Sequence, residues 1–342
     1  MSLEPVINQF SSDLYKFLTK IIPALSVLSL TVNCFHVIVL TRKSVTSSSM
    51  NTLLIGIAIV DILAPIVYVK QGIWWLLTYW QDFCHDSEHV AVLIDLILLT
   101  FNDNFRRCST WLGLLLAGTR TVSVKLASRK SCDFITESKF GWRVFLITVL
   151  VSTVVSISYL FRFQISLGDP HYCLTSSGYV VLTSKASVIE ILHEDDNSDG
   201  IARQIHLFLT GVLGKLVPSF LFPIFAIILV YELSKYEDNS KVAKTEKISK
   251  MVIYMTISFV IIELPIGIFR LINATQTESS IFFNLNKIFN YFYVPITMSH
   301  CFICFSMSSQ YRITALRLLG LKPVTSKLSA SLAVKTPTLS MK

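Results

Sequence analysis

An all-α membrane protein, a bundle of seven membrane-crossing helices with a short amphipathic eighth helix, is the fold that three features of this sequence predict. The 342 residues are 52% hydrophobic and 15% charged, with a mean hydropathy of +0.60, too apolar to cover themselves with a water-facing surface. The apolar residues fall in seven runs, each long enough to cross a hydrocarbon core about 30 Å thick at about 1.5 Å per residue. Lys and Arg collect in alternate connections between those runs. Because lipid leaves backbone groups to be satisfied internally, long unbroken runs favour helices over the short alternating segments of a barrel.

Residues 1–16 are polar and mixed, without the basic-then-apolar order of a cleavable signal peptide. The first run, Phe17–Leu40, is therefore expected to act as its own insertion signal. The others are Met50–Val69, Glu88–Lys125, Phe140–Leu160, Ile205–Leu233, Met251–Ile272 and Lys287–Phe305. The third is overlong and contains "FNDNFRRCSTWLG", in which Asp103, Arg106 and Arg107 interrupt the apolar pattern. After the seventh, Ser308–Leu319 places apolar residues at helical spacing on one side and reads as a helix lying on the membrane surface. The division expected is an extracellular segment 1–16, a bundle 17–321, and a Ser/Thr-rich cytoplasmic tail 322–342 suited to phosphorylation or to simple disorder.

Orientation follows from the basic residues. Arg42, Lys43, Lys125, Arg129, Lys130, Lys139, Arg143, Lys235, Lys241, Lys250, Arg312 and Arg317 share one side, which should be cytoplasmic. The other side carries the N-terminus and an acidic loop with Glu190, Glu194, Asp195, Asp196 and Asp199. The net charge of +8 is thereby explained by topology, and no nucleic-acid partner is called for. The expected location is the plasma membrane, multi-pass, with the N-terminus outside. Of seven cysteines, Cys84 and Cys173 alone fall outside. An even pair in an oxidising compartment predicts a disulfide. Asn273-Ala-Thr275 is a glycosylation sequon at a span end, where used and unused are equally expected.

Several short motifs resemble those of rhodopsin-type G-protein-coupled receptors. "TVNCFHVIVL" resembles the first-helix Asn motif through Asn33, and "NTLLIGIAIVDIL" the second-helix Asp motif through Asp61. "WLGLLLAGTRTVSV" resembles the end of the third helix, with Arg120 at the arginine of the Asp-Arg-Tyr signature. "VPSFLFPIFAIILVY" carries Pro223 and Tyr231 at the fifth-helix spacing, "ISFVIIELP" places Pro265 at the sixth-helix proline, and "CFSMSSQYR" resembles the junction into an eighth helix. The combination "RRCSTWLGLLLAGTRTVSVK", "IIELPIGI" and "HCFICFSMSSQYR" is narrower. It resembles the nematode serpentine receptors of class W, which are similar to FMRFamide-type neuropeptide receptors. The departures are Thr119 and Thr121 around Arg120, Glu263 where relatives have Trp, His300 in the seventh-helix motif, and Cys84 farther before Arg120 than usual.

Intramembrane charges persist where they face the bundle interior in pairs. Arg106 lies fourteen residues from Arg120, about 21 Å at helical rise, and Glu263 lies thirteen residues from Lys250, about 20 Å by the same rise. The two share a level, and the resemblance makes their positions neighbours at the contact that rearranges on activation. An Arg106–Glu263 ion pair is therefore expected, with Arg107 the second candidate; only one of two adjacent arginines can face the sixth helix. The expected ligand pocket is Asn102, Asp103, Arg106, Arg107 and Glu263. By resemblance, Asn33, Asp61, Ser109 and His300 form a polar core. His300 brings a titratable positive group beside Asp61, so no metal or cofactor is expected.

The resemblance implies signalling to a heterotrimeric G protein by outward motion of the sixth helix. Arg120 and Tyr231 would meet the G protein, Pro223 and Pro265 would shape the moving helices, and arrestin, receptor kinase and membrane lipid would be further partners. The β-branched alternation after Cys173 predicts a hairpin. A hairpin and an acidic rim suit an FMRFamide-like cationic peptide as ligand, with a small external chemosensory molecule as the alternative. A transporter would need repeats or paired broken helices, and an enzyme would need clustered ligands or a nucleophile with its base. The sequence offers neither.

Overall fold

The computed structural model describes residues 4–42, 48–80, 89–126, 134–160, 163–167, 171–174, 180–183, 186–190, 197–235, 240–275 and 280–321. Ten α-helices appear among them: α1 (Glu4–Leu40), α2 (Ser49–Leu63), α3 (Ile66–Trp80), α4 (His89–Lys125), α5 (Ser138–Leu160), α6 (Asn197–Gly211), α7 (Val217–Ser234), α8 (Ser240–Thr275), α9 (Ser280–Met307) and α10 (Ser309–Leu318). Six stretches are long and apolar enough to cross a membrane: Pro5–Leu40, Ser49–Leu76, Ser138–Ile157, Gln204–Ser234, Ser249–Ala274 and Ile281–Met307. The remaining predicted span is α4, 37 residues long, or about 55 Å at helical rise. Its charged residues, from Asp95 through Asp103, Arg106 and Arg107 to Arg120 and Lys125, hold it below that apolar standard, not its length.

Boundaries differ from the sequence reading where local chemistry intervenes. α1 starts at Glu4 rather than Phe17, because Pro5 sits in the first turn, where its missing N–H costs nothing. The second span is divided at Ala64–Pro65 into α2 and α3. Ser48 caps α2 by accepting from the Asn51 N–H. The fifth span is α6 and α7 joined by a π-helical turn, Val212–Leu216. The loop before α6 holds four strands: β1 (Phe163–Leu167) pairs antiparallel with β4 (Ala186–Glu190) around β2 (His171–Leu174) paired with β3 (Val180–Thr183). The expected hairpin is thus a hairpin within a hairpin, lying beside α4. Cys84 and Cys132, the acidic residues Glu194 to Asp196, and the tail 322–342 lie outside the described residues. Cys173 is placed only as backbone, opposite Val181, so the expected disulfide lies outside what is described.

α4 is the central column, packed against α2, α5, α7 and α8, while α9 closes the ring against α8 and α1. Leu146, Leu150, Val154, Phe220 and Ile227 face outward, whereas Asp61, Arg106, Lys215 and Glu263 face inward. That inversion of the soluble pattern is what lipid imposes. An apolar cluster of Leu53, Ile57, Leu112, Leu116, Phe222, Leu229, Met255 and Phe259 fills the half of the bundle nearer Arg120. Phe222 and Phe259 stack there with centroids 5.3 Å apart.

α10 is anchored to the bundle through Tyr311. Ser308 caps it by accepting from the Tyr311 N–H at 3.3 Å. The buried Tyr311 hydroxyl lies 2.7 Å from His36 Nδ1 on α1 and 3.3 Å from Cys301 Sγ on α9. Burial first, and the neighbouring Cys301 second, raise the Tyr311 phenol above its ordinary range, so it keeps its proton. Tyr311→Phe keeps the ring but leaves His36 without that partner. A loss of about 1–3 kcal/mol is expected, read as a lower thermal unfolding midpoint of the purified protein. An unchanged midpoint would show that the hydroxyl does not anchor α10.

Candidate ligand site and switch

The charged layer sits where α4, the π turn, α8 and α9 meet. Lys215 Nζ lies 2.6 Å from Glu263 Oε2, with side chains 2% and 1% exposed. Thr110 on α4 donates to Glu263 Oε1 at 3.1 Å. Glu263 therefore pairs with the fifth span, and the expected Arg106–Glu263 pair is replaced. Arg106 turns instead to α9. It donates through Nη1 to Asn290 Oδ1 and lays its guanidinium 4.4 Å from the ring centroid of Tyr293, a cation–π contact.

Arg107 faces α5. It pairs with Asp103 one turn earlier and donates to Ser152 O at 3.0 Å and Ser156 Oγ at 3.1 Å. Asp103 also accepts from Arg270 Nη1 on α8 at 3.0 Å. The sixth span is consequently tied to the third through Asp103–Arg270 and Thr110–Glu263, and to the fifth through Lys215–Glu263. Asn102 is turned toward the second span, donating to the Ala64 carbonyl at 2.6 Å. That carbonyl lies at the α2–α3 break, where Tyr68 N–H bonds to Pro65 O instead. Asn102 is a brace for the break.

Lys215 and Arg270 are the participants that sequence reasoning missed. A lone Lys near the middle of the apolar run Ile205–Leu233 was the available signal. The π turn is what aims it: each π turn admits an extra residue and rotates the side chains that follow, and such turns gather at functional sites. Gly267 on α8 permits the close approach, since a Cβ there would stand 3.0 Å from Lys215 Cβ and 2.9 Å from the Leu216 side chain.

Below this layer, Asp61 is fully buried, accepts from the Tyr293 hydroxyl at 2.9 Å and lies 3.1 Å from His300 Nδ1. Asn33 donates to Ser29 on its own helix at 3.2 Å, Ser29 lies 2.9 Å from Thr297, and Ser109 is buried. The structure thus joins Asp61 and His300 directly, adds Tyr293, and turns Asn33 to α9 through Ser29. Tyr293 serves both levels, its ring under Arg106 and its hydroxyl on Asp61. His300 continues the chain, with its ring 4.9 Å from Phe259.

At the other end Arg120 Nε donates to Ser249 Oγ on α8 at 3.3 Å, a third tie between the third and sixth spans. Tyr231 points away, 61% exposed, with Lys235 Nζ 4.2 Å from its ring centroid. Its place on the outer side of α7 leaves it apart from Arg120 in this arrangement. Pro223 and Pro265 lie inside α7 and α8, and Asn273 lies in the last turn of α8.

Six helices long and apolar enough to cross a membrane, packed with the central α4 and with their charges turned inward, define a multi-pass membrane protein. Residues 20–322 match the family described as Serpentine type 7TM GPCR chemoreceptor Srw, and the chain belongs to it. That family is one of receptors rather than enzymes, and membership implies a ligand and G-protein coupling. A comparison with curated proteins found no match.

Proposed function

We infer that this chain is a rhodopsin-like receptor of the plasma membrane, N-terminus outside, that passes ligand binding at the charged layer to a heterotrimeric G protein by outward motion of α8. The observation that carries this reading is the set of ties on α8. Glu263 near its middle and Arg270 toward one end hold it to α4 and the π turn, and Ser249 holds it to Arg120 toward the other end. A ligand that competes for one of the buried charges shifts the balance between two helix arrangements. The chain Arg106–Tyr293–Asp61–His300–Phe259 offers a contiguous route between the levels. Arrestin and a receptor kinase would act on residues 322–342, and α10 would lie against lipid.

The ligand in this reading is an FMRFamide-like neuropeptide, with the nested hairpin of β1–β4 laid beside α4 as its seat, and a small external chemosensory molecule is the second reading. Cells expressing the full chain, exposed to amidated peptides and to small external molecules, test both readings. Ligand-dependent G-protein activation is expected, and the active set chooses between them. Flux of an ion or solute without G-protein activation would overturn the receptor reading.

A further inference from the structure

We propose that the ligand's anchoring group is a carboxylate, taken up by the side edge of Arg106. This rests on the receptor reading and names the chemistry of its site. Among the described residues, the layer holds four cations, Arg106, Arg107, Lys215 and Arg270, against two carboxylates, Asp103 and Glu263, while a third carboxylate, Asp61, lies beyond Tyr293 and beside His300. Both carboxylates are already committed. Glu263 is matched by Lys215, and Asp103 is shared by Arg107 and Arg270. His206, itself buried, adds a neutral or positive group near Asp103, never a negative one.

Arg106 is the cation left over. It is 2% exposed, cannot shed its proton, and has an amide oxygen and a ring face as partners but no carboxylate. Its Nε and Nη2 are buried with no hydrogen-bond acceptor. Those two N–H groups form one edge of the guanidinium, the fork that takes both oxygens of a carboxylate. A charge kept unpaired inside a membrane bundle is costly, and that cost is relieved by an anion on this edge. Arg270, with its side chain 13% exposed against 2% for Lys215, is the outer cation that an arriving anion meets first. A cationic ligand finds no such place, because Glu263 already has its counter-charge.

The test uses the full chain in lipid nanodiscs. The probes are sodium acetate, butyrate and benzoate, each beside its methyl ester at the same ionic strength, with methyl phosphate as a further arm. Expected is saturable thermal stabilisation by the acids and not by the esters. Arg106→Gln should weaken it at least about tenfold, and Arg106→Lys, which keeps the charge and loses the fork, should give an intermediate result. Ligand-free Arg106→Gln should lose little stability, since relief of an unpaired buried charge offsets the lost contacts with Asn290 and Tyr293. Equal stabilisation by acids and esters, a response unchanged in Arg106→Gln, binding of methyl phosphate alone, or a large drop in the stability of ligand-free Arg106→Gln would each overturn the proposal. Nucleotide exchange on an added G protein is read separately. Acid binding without exchange would count against the receptor reading and leave the anion site standing. Exchange driven only by esters or amidated peptides would do the reverse.

Discussion

Glu263→Leu is expected to remove most of the protein from the cell surface, and adding Lys215→Met in the same chain is expected to bring it back. The single change strands the Lys215 ammonium in a site 2% exposed. Breaking a buried pair from one side costs about 3–5 kcal/mol, a large part of a stability of about 5–15 kcal/mol. The double change removes both charges and substitutes apolar side chains of similar volume, which is often neutral or better. Surface fraction and thermal midpoint in detergent would be compared for the two singles and the double. A double variant no better than the worse single would rule out this pairing. Exchanging the charges gives a sharper comparison: Lys215→Glu with Glu263→Lys should retain folding, whereas Arg106→Glu with Glu263→Arg should not, because Arg106 bonds Asn290 and Tyr293 rather than Glu263.

Arg270→Gln is expected to raise basal G-protein activation by about fivefold without much loss of expression, and Asp103→Asn to reduce expression sharply. The two variants cut the same contact from opposite sides. Arg270→Gln removes the α8 half and leaves Asp103 paired with Arg107. About 1 kcal/mol lost from a tie between helices shifts a two-state balance by about fivefold. Asp103→Asn instead leaves Arg107 and Arg270 facing each other with no carboxylate between them. Ligand-independent nucleotide exchange, normalised to surface expression, separates the cases. If Arg270→Gln lowered basal exchange, the Asp103–Arg270 contact would be part of the active arrangement instead of a restraint on it.

Much of the bundle is legible in the sequence because span formation depends on a property summed along the chain. About 20 apolar residues are enough for a crossing whatever their neighbours are. Helix ends are decided by a few residues, which is why the extra turns of α1 before Phe17 and the break at Ala64–Pro65 were not foreseen. Height within the membrane is also readable, since rise per residue is nearly constant. Arg106 and Glu263 do lie in one buried layer, as that arithmetic implies.

Partnership within the layer was not readable. Each residue along a helix turns about 100° around the axis, so which of Arg106 and Arg107 faces which neighbour depends on the rotation of α4 against four other helices. The π turn at Val212–Leu216 adds a rotation that no periodic reading of the run Ile205–Leu233 contains, and it delivers Lys215 to Glu263 ahead of Arg106. Tyr231 shows the same limit: its spacing from Pro223 does not decide which way it faces, and its side chain lies on the outer side of α7. By itself the sequence determined which stretches are long and apolar enough to cross a membrane and which of its charges share a level along the helices. Only the tertiary structure decided which charges meet, because an ion pair is set by the rotation of separate helices about their axes, and that rotation is fixed by packing between residues far apart in the chain.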